Sequence, residues 1–376
     1  MEQVGKLKIL LSYSKTHFNP TIPREQNKLY YSSAAINART LFEVLSELGD
    51  VEYIDFSEWE SVKNKSFDLF VGINHNFDNI LKIANIKKSI YYSVNCHPTY
   101  RNALLEGFKA PRKLQNRALN RFLHFIRLNR YFNVDWRREL APEVENLSNV
   151  DSILTLGNDI IKNSYIEQGI SPDKISTISY EIDKGQAQYK PNFSDKPAFL
   201  YVATEACLRK GFDLVLEFAN YLQNKDCTLT ILAASNYAFY RQKIKKDLKY
   251  KNVKVIDKGL NGEKYYNLIK EHDFYIFPSL EEGQAGTVLD AMFFGLIPII
   301  TQESGTDFSP LGFLQPTLNS KHNYDILEKA LELSRDEKIK LSNETTDYYN
   351  KNHFGFKDRL RTAIKNIIED SCEHKQ

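Results

Sequence analysis

The sequence predicts an α/β protein of two successive domains, each on a parallel sheet, and three observations carry that expectation. Short apolar runs alternate with longer amphipathic stretches along the chain, the pattern of repeated strand and helix units. A polar, proline-bearing segment at 184–197 separates two series of such units and reads as an interdomain linker. A chain of 376 residues with 42% hydrophobic content has enough apolar material for two cores.

In the first series the strands are expected at 8–12, 51–55, 68–73, 89–95, 152–156 and 174–179. Between the first two, Ile36, Leu41, Val44, Leu45 and Leu48 recur near helical spacing, so a helix is expected over 33–48, stopping at Gly49. The second series places strands at 198–202, 228–233, 253–256, 274–277 and 297–301. The expected domains are 1–185 and 186–355, with a last helix inside 356–372 that is free to pack back on the first.

Composition excludes several classes. Lys and Arg total 50 against 48 Asp and Glu, a net charge of +2, so the molecule as a whole is no polyanion binder. The cysteines Cys96, Cys207, Cys227 and Cys372 lie far apart without a C-x-x-C pair, which argues against a zinc site or a disulfide framework and for a reducing, cytoplasmic compartment. No stretch approaches the 18 apolar residues of a membrane span. One segment differs in charge: 101–138 holds ten basic residues against Glu106 and Asp135, a net of +8, leaving the rest at −6. Within it Leu114, Phe122, Phe125 and Ile126 share a face opposite Lys113, Arg117 and Arg127, so 111–132 reads as a basic amphipathic helix suited to an anionic membrane surface, or as a helix that simply covers its own domain.

The chemistry concentrates in FYIFPSLEEGQAGTVLDAMFFGLIPIITQESG, residues 274–305. A buried strand ends at Pro278, a loop with two acids and small residues follows, and a helix opens near Thr287. Gly283 and Gly286 permit close approach of a ligand, and the amides of Gly286, Thr287 and Val288 at a helix N-terminus favour a phosphate. Glu282 and Asp290 stand eight positions apart, one on the loop and one on the helix.

Pro278, Ser279, Glu282, Gly283, Asp290, Ala291, Met292, Gly295 and Pro298 resemble in register the E-x7-E signature of retaining glycosyltransferases of family 4. That resemblance implies the GT-B architecture of two facing Rossmann-like domains with a cleft between them. It also implies that Glu282 contacts the transferred sugar, that the amides of Ala285, Gly286, Thr287 and Val288 hold sugar and phosphate oxygens, and that Asp290, where the family has Glu, holds the ribose. A second match, Leu208-Arg209-Lys210-Gly211, implies that Arg209 and Lys210 neutralise the donor diphosphate, although the family's Arg sits about five residues earlier, near Thr204 and Glu205. In the first domain His97 follows the strand at 89–95, at the sheet edge where α/β proteins bind ligands, and similar proteins place a His there facing the donor sugar; His75 competes for that role. Cys96 has no partner base at useful spacing. Two further departures are Ser32 and Ser33 in place of the first loop's glycines, and Tyr180-Glu181 in place of Asn-Gly before the linker.

No D-x-D occurs, so no metal and no cofactor is expected, and protein cations must meet the leaving-group charge. The resulting expectation is a retaining, metal-independent hexosyltransferase that passes sugar from a nucleotide diphosphate sugar to a glycan or lipid-linked acceptor in surface polysaccharide assembly, cytoplasmic or peripheral on the inner membrane face. Two readings stay open beside it: a noncatalytic nucleotide- or glycan-binding member of the fold, and a nucleic-acid-modifying transferase using the 101–138 arginines, though no nucleic-acid partner is expected.

Overall fold

The computed structural model describes residues 6–23, 33–73, 76–115, 147–182, 184–187, 190, 192–203, 207–233, 248–257, 259–260 and 262–373. The chain divides into two compact units. The elements run β1 (Leu7–Tyr13), α1 (Ser33–Leu48), β2 (Gly49–Asp55), β3 (Ser66–Phe67), β4 (Leu69–Gly72), α2 (Phe77–Ile83), β5 (Asn85–Ile86), β6 (Ser89–Ser93), α3 (Pro98–Gln115), β7 (Ser152–Leu156), α4 (Asp159–Ile166) and β8 (Ile175–Ile178). There follow β9 (Ala198–Ala203), α5 (Phe212–Leu222), β10 (Thr228–Ala233), β11 (Val253–Ile256), α6 (Gly262–Lys270), β12 (Phe274–Phe277), α7 (Gly286–Phe293), β13 (Ile297–Ile300), α8 (Lys321–Glu332), α9 (Arg335–Asn352) and α10 (Phe356–Glu373).

The first unit takes the described residues of Met1–His97, Glu143–Gly185 and His353–Gln376. Its sheet is ordered β2-β1-β4-β6-β7-β8, with every pairing parallel. Ile9, Leu10, Leu11, Phe70, Val71, Ile90 and Leu154 are all buried, as strands covered on both faces require. Gly49 opens β2 instead of ending α1 in a loop, since Leu7 already pairs with it. The two-residue pair β3 and β5 lies outside the sheet and carries too short a pattern to be read in sequence.

α10 packs on α1, with Lys357 Nζ donating to Glu43 at 2.8 Å and Arg361 Nε to Glu47 at 2.7 Å. The Tyr180-Glu181 pair explains how this last helix is seated. Glu181 Oε2 accepts from the amides of Gly355 (2.7 Å) and Phe356 (3.1 Å), and Tyr180 meets the Phe356 ring edge-on at 5.6 Å. Charge at a helix N-terminus and a ring under it do the work expected elsewhere of a glycine turn.

The same corner makes the protein acid-sensitive. His353 is buried, and burial first, then the neighbouring Arg359, push its pKa down to about 3. Between pH 6.5 and that value the unfolded chain carries a proton that the folded chain does not, so stability falls as pH falls through this window. The loss from His353 should reach about 2 kcal/mol by pH 5, at 1.36 kcal/mol per pH unit. Urea midpoints measured from pH 7.5 to 5 should drop for the wild type and stay flatter for His353→Gln.

The second unit takes the described residues of Pro98–Pro142 and Gln186–Asn352, so α3 groups here and not with the strands on either side of it in sequence. Its sheet is ordered β11-β10-β9-β12-β13, again all parallel. Counted within the unit this is strand order 3-2-1-4-5, with the switch point between β9 and β12, where doubly wound sheets bind ligands at the carboxyl ends. The polar stretch expected as a linker is tied into this unit. Asp273 is buried, and its carboxylate accepts from Ser194 Oγ at 3.1 Å and pairs with Lys338 at 3.4 Å and Lys190 at 3.5 Å. Lys338 also donates to the Ser194 carbonyl at 3.1 Å.

The amphipathic segment 111–132 falls almost entirely outside the described residues; α3 ends at Gln115. Among the described residues no helix is long and apolar enough to cross a membrane.

Candidate donor site

Two loops meet at the switch point of the second sheet, one after β9 and one after β12. Their backbones are joined at Arg209, whose carbonyl accepts from the Leu280 amide at 2.8 Å and from Ser279 Oγ at 3.0 Å. Tyr201 of β9 donates to the Lys210 carbonyl at 3.1 Å, fixing the next residue. Gly211 follows with φ +68°, and a Cβ there would lie 1.7 Å from the Pro278 carbonyl oxygen. Only glycine allows the loops this close.

The second loop is backed in turn by the turn after β13. The Glu282 amide donates to the Glu303 carbonyl at 2.8 Å and the Ala285 amide to the Ser304 carbonyl at 3.0 Å. Gly305, at φ +78°, would place a Cβ 1.6 Å from the Gly283 carbonyl oxygen, so this support also depends on glycine. The loop bearing Glu282 and Gly283 is therefore held on both sides by main-chain hydrogen bonds, which is what preorganisation requires.

The side chains then converge. Arg209 Nη1 donates to Glu282 Oε1 at 2.7 Å, and Lys210 Nζ pairs with the same oxygen. Burial acts to raise the Glu282 pKa, but the attraction of Arg209 and Lys210 outweighs it and holds the carboxyl below its ordinary range. Burial is the larger influence on Lys210 and lowers its pKa despite the pair with Glu282. Arg209 is instead raised, because the two carboxylates beside it outweigh its burial.

α7 opens at Gly286, four residues after Glu282. Of the four amides expected to hold a ligand, Ala285 is engaged with Ser304 and Val288 donates to the Ala285 carbonyl at 3.0 Å. Gly286 and Thr287, the first two residues of the helix, donate to no backbone acceptor among the described residues, as first-turn amides do. Asp290 lies one turn further on, half-buried, its Oδ2 accepting from Tyr265 of α6 at 3.1 Å. Burial, then the Asp290 charge, keeps Tyr265 protonated, so it acts as the donor.

His97 lies in the other unit, just beyond the carboxyl end of β6. Its amide donates to Ser164 Oγ at 2.9 Å and its ring meets Tyr165 edge-on at 5.3 Å, both residues of α4. Burial lowers its pKa, favouring the neutral imidazole at pH 7. His75, Thr204 and Glu205 lie outside the described residues. The structure thus brings together Arg209, Lys210, Glu282, Gly283, Ala285, Gly286, Thr287, Val288 and Asp290 in one unit and keeps His97 in the other. Sequence reasoning missed Tyr201, Tyr265 and above all Glu281, a fully buried acid beside Glu282. The doubled acid at 281–282 is a signal that was there to be read.

Among the described residues no group of three His, Cys, Asp or Glu side chains is placed to hold a metal ion. Over residues 196–322 the chain matches the family model Glycosyl transferases group 1. No curated protein matches it by sequence. Among solved structures it is similar to TarM of S. aureus, in complex with fondaparinux, α-GlcNAc-glycerol and UDP, at 13% identity and TM-score 0.55 over 83% of this chain and 58% of that one. It is similar to HepE of Anabaena in complex with UDP and glucose (12%, TM-score 0.55, 96% and 99% of the two chains) and to α,α-trehalose 6-phosphate synthase of Burkholderia multivorans (10%, TM-score 0.60, 99% and 100%). The chain spans a little over half the length of TarM. Residues 196–322 thus carry the match to the group 1 glycosyltransferase model, in a chain whose two Rossmann-like units have the GT-B fold.

Proposed function

We propose that the protein is a retaining, metal-independent glycosyltransferase of the hexosyl type. It moves a sugar from a nucleotide diphosphate sugar to a hydroxyl of a glycan or lipid-linked acceptor, in assembly of a surface polysaccharide. The observation that carries the reading is the pairing of Arg209 and Lys210 with Glu282 between the loops that follow β9 and β12, with the first turn of α7 opening four residues beyond Glu282. The complexes of TarM and HepE with UDP support a uridine diphosphate donor.

In this reading Lys210 and the Gly286 and Thr287 amides take the diphosphate, and Glu282 turns to the sugar hydroxyls. The bond between the anomeric carbon and the phosphate oxygen breaks as charge grows on the departing diphosphate, which is where a placed cation stabilises most. The acceptor oxygen bonds to the same face of the anomeric carbon, and its proton passes to the departing phosphate oxygen. Asp290 holds the ribose, and His97 of the first unit faces the sugar as a neutral imidazole. The basic stretch at 101–138 draws the protein to an anionic, inner membrane face where a lipid-linked acceptor would lie.

The test is a panel of nucleotide sugars with mass detection of slow donor hydrolysis and of transfer. Release of one sugar from one donor is the expected result. Tight diphosphate binding without turnover of any donor would mark a noncatalytic binding protein instead. Chelation should leave the rate unchanged, and a rate restored only by Mn²⁺ or Mg²⁺ would overturn metal independence.

A further inference from the structure

We propose that Glu281 is a positioning residue that holds the Arg209 guanidinium on Glu282 when the donor diphosphate arrives, a role that rests on the donor-site reading above. Its carboxylate is fully buried, and burying a carboxylate is costly unless cations compensate it. Two arginines from separate elements do so. Glu281 Oε2 lies 3.7 Å from Arg209 Nη1, on the loop after β9, and 3.7 Å from Arg101 Nε, in the first turn of α3. The Glu281 carbonyl also accepts from Arg209 Nη1 at 3.2 Å.

Arg209 is thereby anchored three ways, through Glu282 Oε1, the Glu281 carbonyl and the Glu281 carboxylate. Lys210 contacts the carboxylates only at Glu282 Oε1 among the described residues, and its ammonium sits 5.6 Å from the Phe277 ring. The two cations are therefore not equivalent. An arriving diphosphate draws Lys210 off Glu282, while Glu281 keeps Arg209 in place as the remaining counter-ion of Glu282. Three cations and two acids give the cluster a net charge of +1, so the anion still meets attraction.

Without the Glu281 charge, Arg209 is released to follow the diphosphate together with Lys210. Ground-state binding then strengthens, while Glu282 loses the guanidinium that aims its carboxylate at the sugar, so affinity tightens and turnover slows. A merely structural residue would not separate the two quantities in this way.

The experiment uses the full chain and whichever of UDP, GDP and ADP binds the wild type best, with calorimetric affinity and donor-hydrolysis rate measured in parallel. Glu281→Gln should bind the diphosphate about tenfold more tightly, the scale of one partly screened unit charge, while its turnover falls about tenfold. Glu281→Asp should restore part of both. Arg101→Gln, which removes a cation from the same cluster, should change affinity in the opposite direction. Affinity and turnover that fall together in Glu281→Gln, or that both stay unchanged, would overturn the role. If Glu281→Gln does not fold, wild-type affinity in both Glu281→Asp and Arg101→Gln would overturn it. A wild type that binds none of the three diphosphates would bring down the donor-site reading itself, and this role with it.

Discussion

Glu282→Gln should reduce donor turnover by about 10²–10³-fold, the usual cost of removing one preorganised group at a transition state, while diphosphate affinity stays the same or rises. The split follows from what the carboxylate touches. In the free protein its Oε1 is shared by Arg209 and by Lys210, the cation that the diphosphate takes. Neutralising it relieves the competition for Lys210 and leaves the Gly286 and Thr287 amides in place, so the nucleotide loses nothing. The sugar loses its charged partner on a loop fixed by Glu303 and Ser304. Isothermal titration with the diphosphate and single-turnover hydrolysis of the donor measure the two quantities. A parallel loss in both would assign Glu282 to the nucleotide and move sugar recognition elsewhere.

The strands were legible because buried parallel strands are written as short apolar runs. β7, β10, β11 and β12 fall on the residues expected for them, and α1 runs over 33–48 as its spacing indicates. What sequence could not supply is which strands become neighbours. The switch point between β9 and β12 joins residues about 75 positions apart, and with it come the contacts of Arg209 with both Glu281 and Glu282. The motif located Glu282 because its spacing to Asp290 is local, on one loop and one helix. Glu281 escaped notice because its meaning depends on Arg101 and Arg209, which no local pattern connects to it. Tyr265 was missed for the same reason, as its contact with Asp290 crosses from α6 to α7. The stretch at 186–197 read as a linker from its polarity, yet Lys190 and Ser194 are partners of a buried aspartate 79 or more positions away. Polar composition marks a free linker only when the polar groups face water, and these face Asp273.

Lys210→Ala should weaken diphosphate binding by about 1.5–3 kcal/mol, the worth of a hydrogen bond to a charged group, and leave the fold close to intact. Among the described carboxylates Lys210 pairs only with Glu282, which keeps Arg209, so its removal strands no fully buried acid. Arg209→Ala should behave differently. It takes from Glu281, which is fully buried, one of its two arginine partners and removes the donor to the Glu281 carbonyl. Breaking a buried ion pair from one side costs about 3–5 kcal/mol, and the remaining Arg101 should hold the loss near the lower end of that range. The Arg209 variant should therefore unfold at lower denaturant while losing less diphosphate affinity than Lys210→Ala. Calorimetry and urea titration on both proteins decide the matter. If Arg209→Ala loses more affinity than Lys210→Ala at unchanged stability, Arg209 is the principal phosphate clamp, and the division between an anchored and an exchanging cation is wrong.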